Sequence, residues 1–201
     1  MRKAIIHLKK SDPVMRAIIE RVGAYKIEHS EPTFSTLVRS IVNQQLSGRV
    51  AAVILGRLKT MLPDGAITPD AILKLTPARM RKAGLSKAKT LYIRELARKT
   101  KKGEVKFETL ADLADIEVIE HLTQVKGIGV WTAHMFLIFA LKRPDILATG
   151  DLGVRTAIRK AYELAELPAP KEIEALAIAW RPYSSVAMWY LWRSLEGPAQ
   201  L

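Results

Sequence analysis

Three times in this chain a residue that caps helices stands directly before a proline: Asp12-Pro13, Thr68-Pro69 and Thr76-Pro77. A side-chain oxygen there accepts the free amides of a first helical turn, and proline has no amide to lose at the first helical position. Ser47, Ser86 and Asp115 take similar places ahead of helix-forming runs. Apolar residues then follow at helical spacing. Leu37, Val38, Ile41 and Val42 form one stripe, Val50, Val53, Ile54 and Leu58 the next, and Leu91, Ile93, Leu96 and Ala97 another. Strand-like segments are confined to residues 3–8 and 104–107, both short. The pattern predicts ten to twelve helices with short connections, an all-α fold. With 201 residues, 49% of them apolar, the chain has material for one substantial core or two small packed lobes.

There is no cysteine. That removes disulfides, thiolate–zinc sites, cysteine nucleophiles and cysteine-held iron–sulfur clusters together. The first ten residues carry too short an apolar run for a signal peptide. The most apolar stretch, Ala133 to Leu141, is far below the ~20 residues of a membrane span. A cytoplasmic protein is expected. Lys and Arg number 32 against 20 Asp and Glu, a net charge of +12. A polyanionic partner follows, nucleic acid first, with an inert basic surface or a membrane surface as the alternatives. The densest basic run, Arg98-Lys99-Thr100-Lys101-Lys102, precedes Gly103, where cations suit a helix C-terminus.

The most informative segment is Leu122-Thr123-Gln124-Val125-Lys126-Gly127-Ile128-Gly129-Val130-Trp131-Thr132-Ala133. A helix ends near Thr123, two glycines surround one aliphatic residue, and an apolar helix starts near Val130. Glycines let the backbone turn and approach a partner closely. Ile128 would hold the turn shut between its helices. The amides of Gly129, Val130 and Trp131 then form a helix N-terminus, a ready phosphate site. An ordinary helix–helix turn is the plainer alternative. The whole arrangement matches a helix-hairpin-helix motif, which reads DNA backbone and not base sequence. Twenty-two residues after Gly129, past a Gly- and Pro-containing loop, Asp151 opens another helix.

Hairpin, apolar helix, loop and aspartate in that order resemble the helix-hairpin-helix DNA glycosylase superfamily, from about Phe34 to Gly197. Three more segments are similar to the 3-methyladenine DNA glycosylase II family. Ser40-Ile41-Val42-Asn43-Gln44-Gln45-Leu46-Ser47 looks like its DNA-gap plug. Ala83-Gly84-Leu85-Ser86-Lys87-Ala88-Lys89 resembles a second backbone-binding loop. Residues 180–192 resemble its C-terminal helix with pocket aromatics. The resemblance implies two helical lobes, residues 34–142 with the hairpin 122–133 and residues 1–33 plus 143–201, with an active-site cleft between them in one glycosylase unit. Some members carry an N-terminal β-rich domain; here about thirty residues precede Phe34, so it is expected to be missing or reduced to a strand or two. Met135, Leu152 and Arg193 stand where larger aromatic members have tyrosines. The missing cysteines select the branch without an iron–sulfur cluster.

The implied activity is base-excision repair: flipping a nucleotide out of duplex DNA and hydrolysing its N-glycosidic bond. Asp151 is the candidate catalytic carboxylate, stabilising an oxocarbenium-like sugar and orienting water; capping the next helix is the alternative, and the two are compatible. Lyase members place a Schiff-base lysine two residues after the second hairpin glycine. Here that residue is Trp131, and an indole forms no imine, so a monofunctional enzyme is expected. Gln45 is the candidate wedge and Leu46 the alternative; core packing is the plainer role for Leu46. Gln44, read as a DNA contact or a bridge across the cleft, completes the DNA-contacting set with Arg49, Lys87, Lys89, Lys126, Gly127 and Gly129. Trp131, Trp192, Trp189 and Tyr183 are the candidate base pocket, where a cationic alkylated purine gains from indole stacking; packing in the core is the alternative for each. Hairpins of this family can hold a monovalent or alkaline-earth cation on backbone carbonyls, here those of Thr123, Val125 and Ile128. No other cofactor is implied. The partner is duplex DNA with alkylated bases, bound by a monomer at the nucleoid, or in the nucleus of a eukaryote. 3-Methyladenine leads the lesion range and 7-methylguanine follows. A non-catalytic DNA-binding module and an all-α interaction scaffold are the rival readings.

Overall fold

The computed structural model describes residues 1–196; Gly197, where the resemblance ends, lies outside them. Among the described residues there are twelve α-helices and no strand. The chain divides into two compact units, one of residues 30–141 and one of residues 1–29 with 142–201. No helix among the described residues is long and apolar enough to cross a membrane.

Residues 30–141 hold α3 (Phe34–Asn43), α4 (Gly48–Thr60), α5 (Pro69–Lys74), α6 (Pro77–Lys82), α7 (Lys87–Lys101), α8 (Asp115–Thr123) and α9 (Val130–Phe139). The caps act as their chemistry dictates. Thr68, Thr76, Ser47 and Ser86 each accept an amide of the turn that they open. Asp115 does not cap: it is the first helical residue after Ala114, whose amide donates to Glu117 at 2.7 Å. The stripe Leu37, Val38, Ile41 and Val42 is wholly buried. α7 is the centre of this unit and packs on α3, α5 and α6. Its buried side is Thr90, Ile93, Leu96 and Ala97, while Leu91 faces outward. On α4 the core side is Ala51, Ile54 and Leu58. Val50 and Val53, expected in that stripe, are exposed, because both lie on one flank of the buried Ala51, Ile54 and Leu58 line, turned from the core.

The other unit holds α1 (Arg2–Ser11), α2 (Pro13–Val22), α10 (Leu152–Ala161), α11 (Pro170–Ala177) and α12 (Ser184–Leu195). α12 packs on α1, α2 and α10, and its residues 184–191 are buried on every side. Asp12 is a buried junction. Its Oδ1 accepts the amides of Val14 and Met15 at 2.8 and 3.0 Å. Its Oδ2 accepts the Trp180 indole at 2.9 Å and the Tyr162 hydroxyl, which ties the start of α2 to the C-terminal end of α10.

Neither strand-like segment is a strand. Residues 3–8 lie in α1, where Ala4 and Leu8 fall one turn apart and both are buried. Residues 104–107 do alternate, with Val105 and Phe107 buried and Glu104 and Lys106 exposed. The amides of Glu104 and Val105 instead bond the Lys99 carbonyl at the end of α7.

Candidate functional site

The hairpin lies in the unit of residues 30–141. α8 stops at Thr123, the Val125 amide donates to Leu122 O at 3.1 Å, and the Ile128 amide to Val125 O at 3.0 Å. Val125 and Ile128 are buried, so the turn is pinned by apolar packing from inside. The two glycines serve different needs. Gly127 has φ +89°, and a Cβ there would lie 2.1 Å from the Tyr92 ring on α7; nothing larger fits. Gly129 has φ −93° and caps α9, and a Cβ there would meet nothing within 4 Å. Its bareness leaves open space in front of the first amides of α9, where an anion is favoured by the helix N-terminus. Val130 and Trp131 are about half exposed beside it. Of the three candidate cation carbonyls, that of Val125 already accepts Ile128 N–H, and a carbonyl has a second lone pair. The Thr123 hydroxyl turns back to Ile119 O.

Next to the hairpin stands the segment after α3. Gln44 ends the helix, and its Nε2 donates to Gly127 O at 2.8 Å. Gln45 is exposed, with φ +55°, and Leu46 is 37% exposed. Both wedge candidates therefore project from the surface, and Leu46 is not a core residue. Arg49 is exposed in the first turn of α4. Lys89 behaves differently from a surface lysine. Its Nζ donates to Val42 O at 2.8 Å and Gln44 O at 2.6 Å, the carbonyls that end α3. Burial holds its ammonium below the ordinary lysine range.

A groove of about 560 Å³ runs along α6, α7 and the hairpin, rimmed by Arg81, Lys87, Arg98 and Lys126 with Leu91 and Tyr92 between. The basic run at the end of α7 is thus divided. Lys99 and Lys102 face Glu104, Lys101 pairs with Asp70, and Arg98 lines the groove. A second hollow of about 270 Å³, between α3 and α9, is lined by Ser40, Asn43, Met135 and Phe136. His134 on α9 is partly buried, which lowers its pKa from the ordinary value.

Asp151 lies in the other unit, 8% exposed, at the start of α10. Its Oδ1 accepts the Val154 amide at 2.7 Å and the Trp192 indole Nε1–H at 2.8 Å. The carboxylate does cap α10. The preceding loop is laid along one face of α12. Ile146 N–H donates to Ser185 Oγ at 2.9 Å, Ala148 N–H to Met188 Sδ at 3.2 Å, and Trp192 reaches Asp151. Residues 185, 188 and 192 are spaced three and four apart, one side of a helix. Gly153 completes the seat: a Cβ there would lie 3.0 Å from Asp151 Oδ1 and 3.1 Å from Trp192 Cδ1. Ser185, Met188 and Gly153 were not among the expected site residues. A glycine inside a helical run was their one visible signal.

Trp189 and Tyr183 have other surroundings. Trp189 is 7% exposed and covered by Tyr25 and Tyr190, with centroids at 4.6 and 4.9 Å, which makes it core. Tyr183 stands edge-on to His7 at 5.4 Å. Leu152 is exposed, and Arg193 pairs with Glu196. Among the described residues no three His, Asp or Glu side chains group as a metal site.

A family model described as HhH-GPD superfamily base excision DNA repair protein matches residues 38–182. DNA-3-methyladenine glycosylase 1 of Schizosaccharomyces pombe is 33% identical over 200 residues, 96% of this chain and 87% of that protein. The structure of the S. pombe 3-methyladenine DNA glycosylase in complex with abasic DNA superposes with a TM-score of 0.84 at 34% identity, covering 94% of this chain and 95% of that one. DNA-3-methyladenine glycosidase of Bacillus halodurans superposes with a TM-score of 0.87 at 34% identity, covering 96% and 89%.

Proposed function

The chain belongs to the HhH-GPD superfamily of base excision DNA repair proteins, and from that premise we propose that it is a monofunctional DNA glycosylase. It removes alkylated purines, 3-methyladenine first, from duplex DNA, and acts as a monomer. The observation that carries this reading is the buried Asp151 carboxylate, held by an indole and a helix amide. Mere DNA binding gains nothing from an acid near phosphates.

The chemistry follows from charge. A 3-alkylated purine is cationic, so it departs with the electron pair of the N-glycosidic bond as a neutral base. No acid is needed on the leaving group. Positive charge is left on the sugar, in an oxocarbenium-like transition state, and a fixed carboxylate stabilises it without reorganising. Water then bonds to C1′ and its proton passes to Asp151. The Trp192 N–H and the Val154 amide hold Oδ1 in place through these steps.

The nucleotide must first leave the stack, which costs a few kcal/mol and least for damaged bases. Gln45, exposed beside the hairpin, fills the gap, with Leu46 next to it. The hairpin amides take a backbone phosphate, and Lys87 and Lys126 in the groove extend the backbone contact. A cation on the hairpin carbonyls would bridge to that phosphate. Trp131, about half exposed, retains ring surface for a flat cationic base. With an indole at position 131 there is no amine for an imine, hence no lyase step.

Asp151→Asn tests the reading. It is expected to abolish release of methylated bases, scored as alkali-labile abasic sites, with DNA binding largely kept. Equal release by the variant and the unchanged protein would overturn it. Chromatography of the freed bases defines the lesion range.

A further inference from the structure

Three successive contacts along α7 join two segments that are far apart in the chain. Lys89 holds the carbonyls of Val42 and Gln44. One turn on, the Tyr92 ring fills the space where a side chain on Gly127 would be. One turn further, Glu95 accepts the Lys126 amide at 3.2 Å. Gln44 closes the circuit by donating to Gly127 O. The segment carrying Gln45 and the hairpin are thereby mounted on one helix.

Lys89 supplies two of the hydrogen bonds that hold this segment. α3 ends without a glycine, on Gln44 at φ −50° and ψ 126°, so its last carbonyls need another partner. Gln45 is left-handed at φ +55°, a strained conformation for a non-glycine residue. It persists only if its neighbours over-determine it. Gln44 is fixed twice, at its carbonyl by Lys89 and at its carboxamide by Gly127, and the Leu46 amide donates to Asn43 O at 3.1 Å.

We propose that Lys89 is a positioning residue for the inserted side chain and not a phosphate ligand: its ammonium sets the backbone from which Gln45 enters the duplex and registers it to the hairpin. This rests on the glycosylase reading above, and the test separates the two. Lys89→Met keeps the aliphatic stem and removes both hydrogen bonds.

Two measurements are made on the full chain. The first is 2-aminopurine fluorescence, with the probe beside an abasic site, upon saturating binding. It reports unstacking and needs no excision. The unchanged protein brightens the probe, and the variant loses most of that rise. The second is single-turnover excision of 3-methyladenine from two duplexes, one with the lesion paired and one with it opposite a gap. A side chain misplaced by 1 Å costs on the order of a hundredfold, so the paired substrate should lose at least about tenfold more than the unpaired one. The slope of log affinity against log salt should stay as it is.

A phosphate-ligand role predicts instead a slope smaller by about 0.9 and equal losses on both duplexes. That result overturns the proposal, as does undiminished fluorescence. Should Lys89→Met fail to fold, Gln44→Met cuts the tie to Gly127 and carries the same expectation. If the unchanged protein releases no base but still brightens the probe, the glycosylase reading fails while the positioning of Gln45 stands.

Discussion

Gly153→Ala sets two effects of known size against each other at the Asp151 carboxylate. Gly153 is the second residue of α10, and its φ is not in the left-handed region. Helix propensity alone therefore favours alanine by up to about 1 kcal/mol. Against this stands crowding by the new Cβ, at 3.0 Å from Asp151 Oδ1 and 3.1 Å from Trp192 Cδ1. Ordinary contact begins at 3.4 Å, so the carboxylate must give by about 0.4 Å, or the indole by about 0.3 Å. Both belong to the same hydrogen bond, now 2.8 Å long, and Oδ1 also caps Val154 at 2.7 Å. The cap can follow a shift of that size because the side chain rotates about its own bonds. That same rotation changes the direction in which the carboxylate points.

Stability and rate should then part. The midpoint Tm is expected to stay within about 4 °C of the unchanged protein, since 1 kcal/mol moves a chain of this size by roughly 2–4 °C. Single-turnover release of 3-methyladenine should fall by about tenfold, or about 1.4 kcal/mol of barrier, a fraction of the hundredfold for a full ångström. Gly150→Ala is the control, because a Cβ there meets nothing within 4 Å. Unchanged release by Gly153→Ala, or an equal loss in both variants, would refute the claim that this glycine seats the carboxylate.

Other consequences concern single groups. Trp192→Phe keeps an aromatic face but removes the donor to Asp151, a bond to a charged group worth about 1.5–3 kcal/mol; release should slow by about tenfold to a hundredfold, and rates within threefold would show that the donor is idle. Lys87→Gln and Lys126→Gln should each lower the salt slope of DNA affinity by about 0.9, measured by anisotropy at four salt concentrations. His134 is partly buried with its pKa lowered, so the unfolded chain binds the extra proton first as pH falls. Stability is then retained above about 6.5 and lost below it; His134→Gln should flatten that part of a urea-midpoint profile between pH 7 and 5.

What could be read from the residues, and what could not, divides along a physical line. Caps and stripes are local: Thr68 and Ser86 bond amides three residues away, so their chemistry is written beside them. Gly127 is nearly local, since a turn between two apolar residues demands something of its backbone. Lys89 is not. A lysine just after a serine cap has the features of a phosphate contact, and only the arrival of the end of α3, some 45 residues earlier in sequence, turns its ammonium onto carbonyls. A hydrogen bond to a distant carbonyl leaves no trace in residue type, because every residue has one.

Trp189 and Trp192 show the same limit within one helix. They are three residues apart, yet one is packed under Tyr25 and Tyr190 and the other bonds Asp151. An amphipathic helix would have sorted them, since its polar side marks a direction. Residues 184–191 are buried all round, so the pattern has no phase to read. The face that matters is set by what lies against it, the 146–151 loop bonded to residues 185, 188 and 192. The net charge of +12 is divided in the same way. Lys99, Lys101 and Lys102 sit beside carboxylates, whereas Arg81, Lys87, Arg98 and Lys126 rim one groove next to the hairpin. Cations that share a groove add their potentials there, and those matched by acids largely cancel. A few basic side chains, and not the total, therefore determine where a polyanion is drawn.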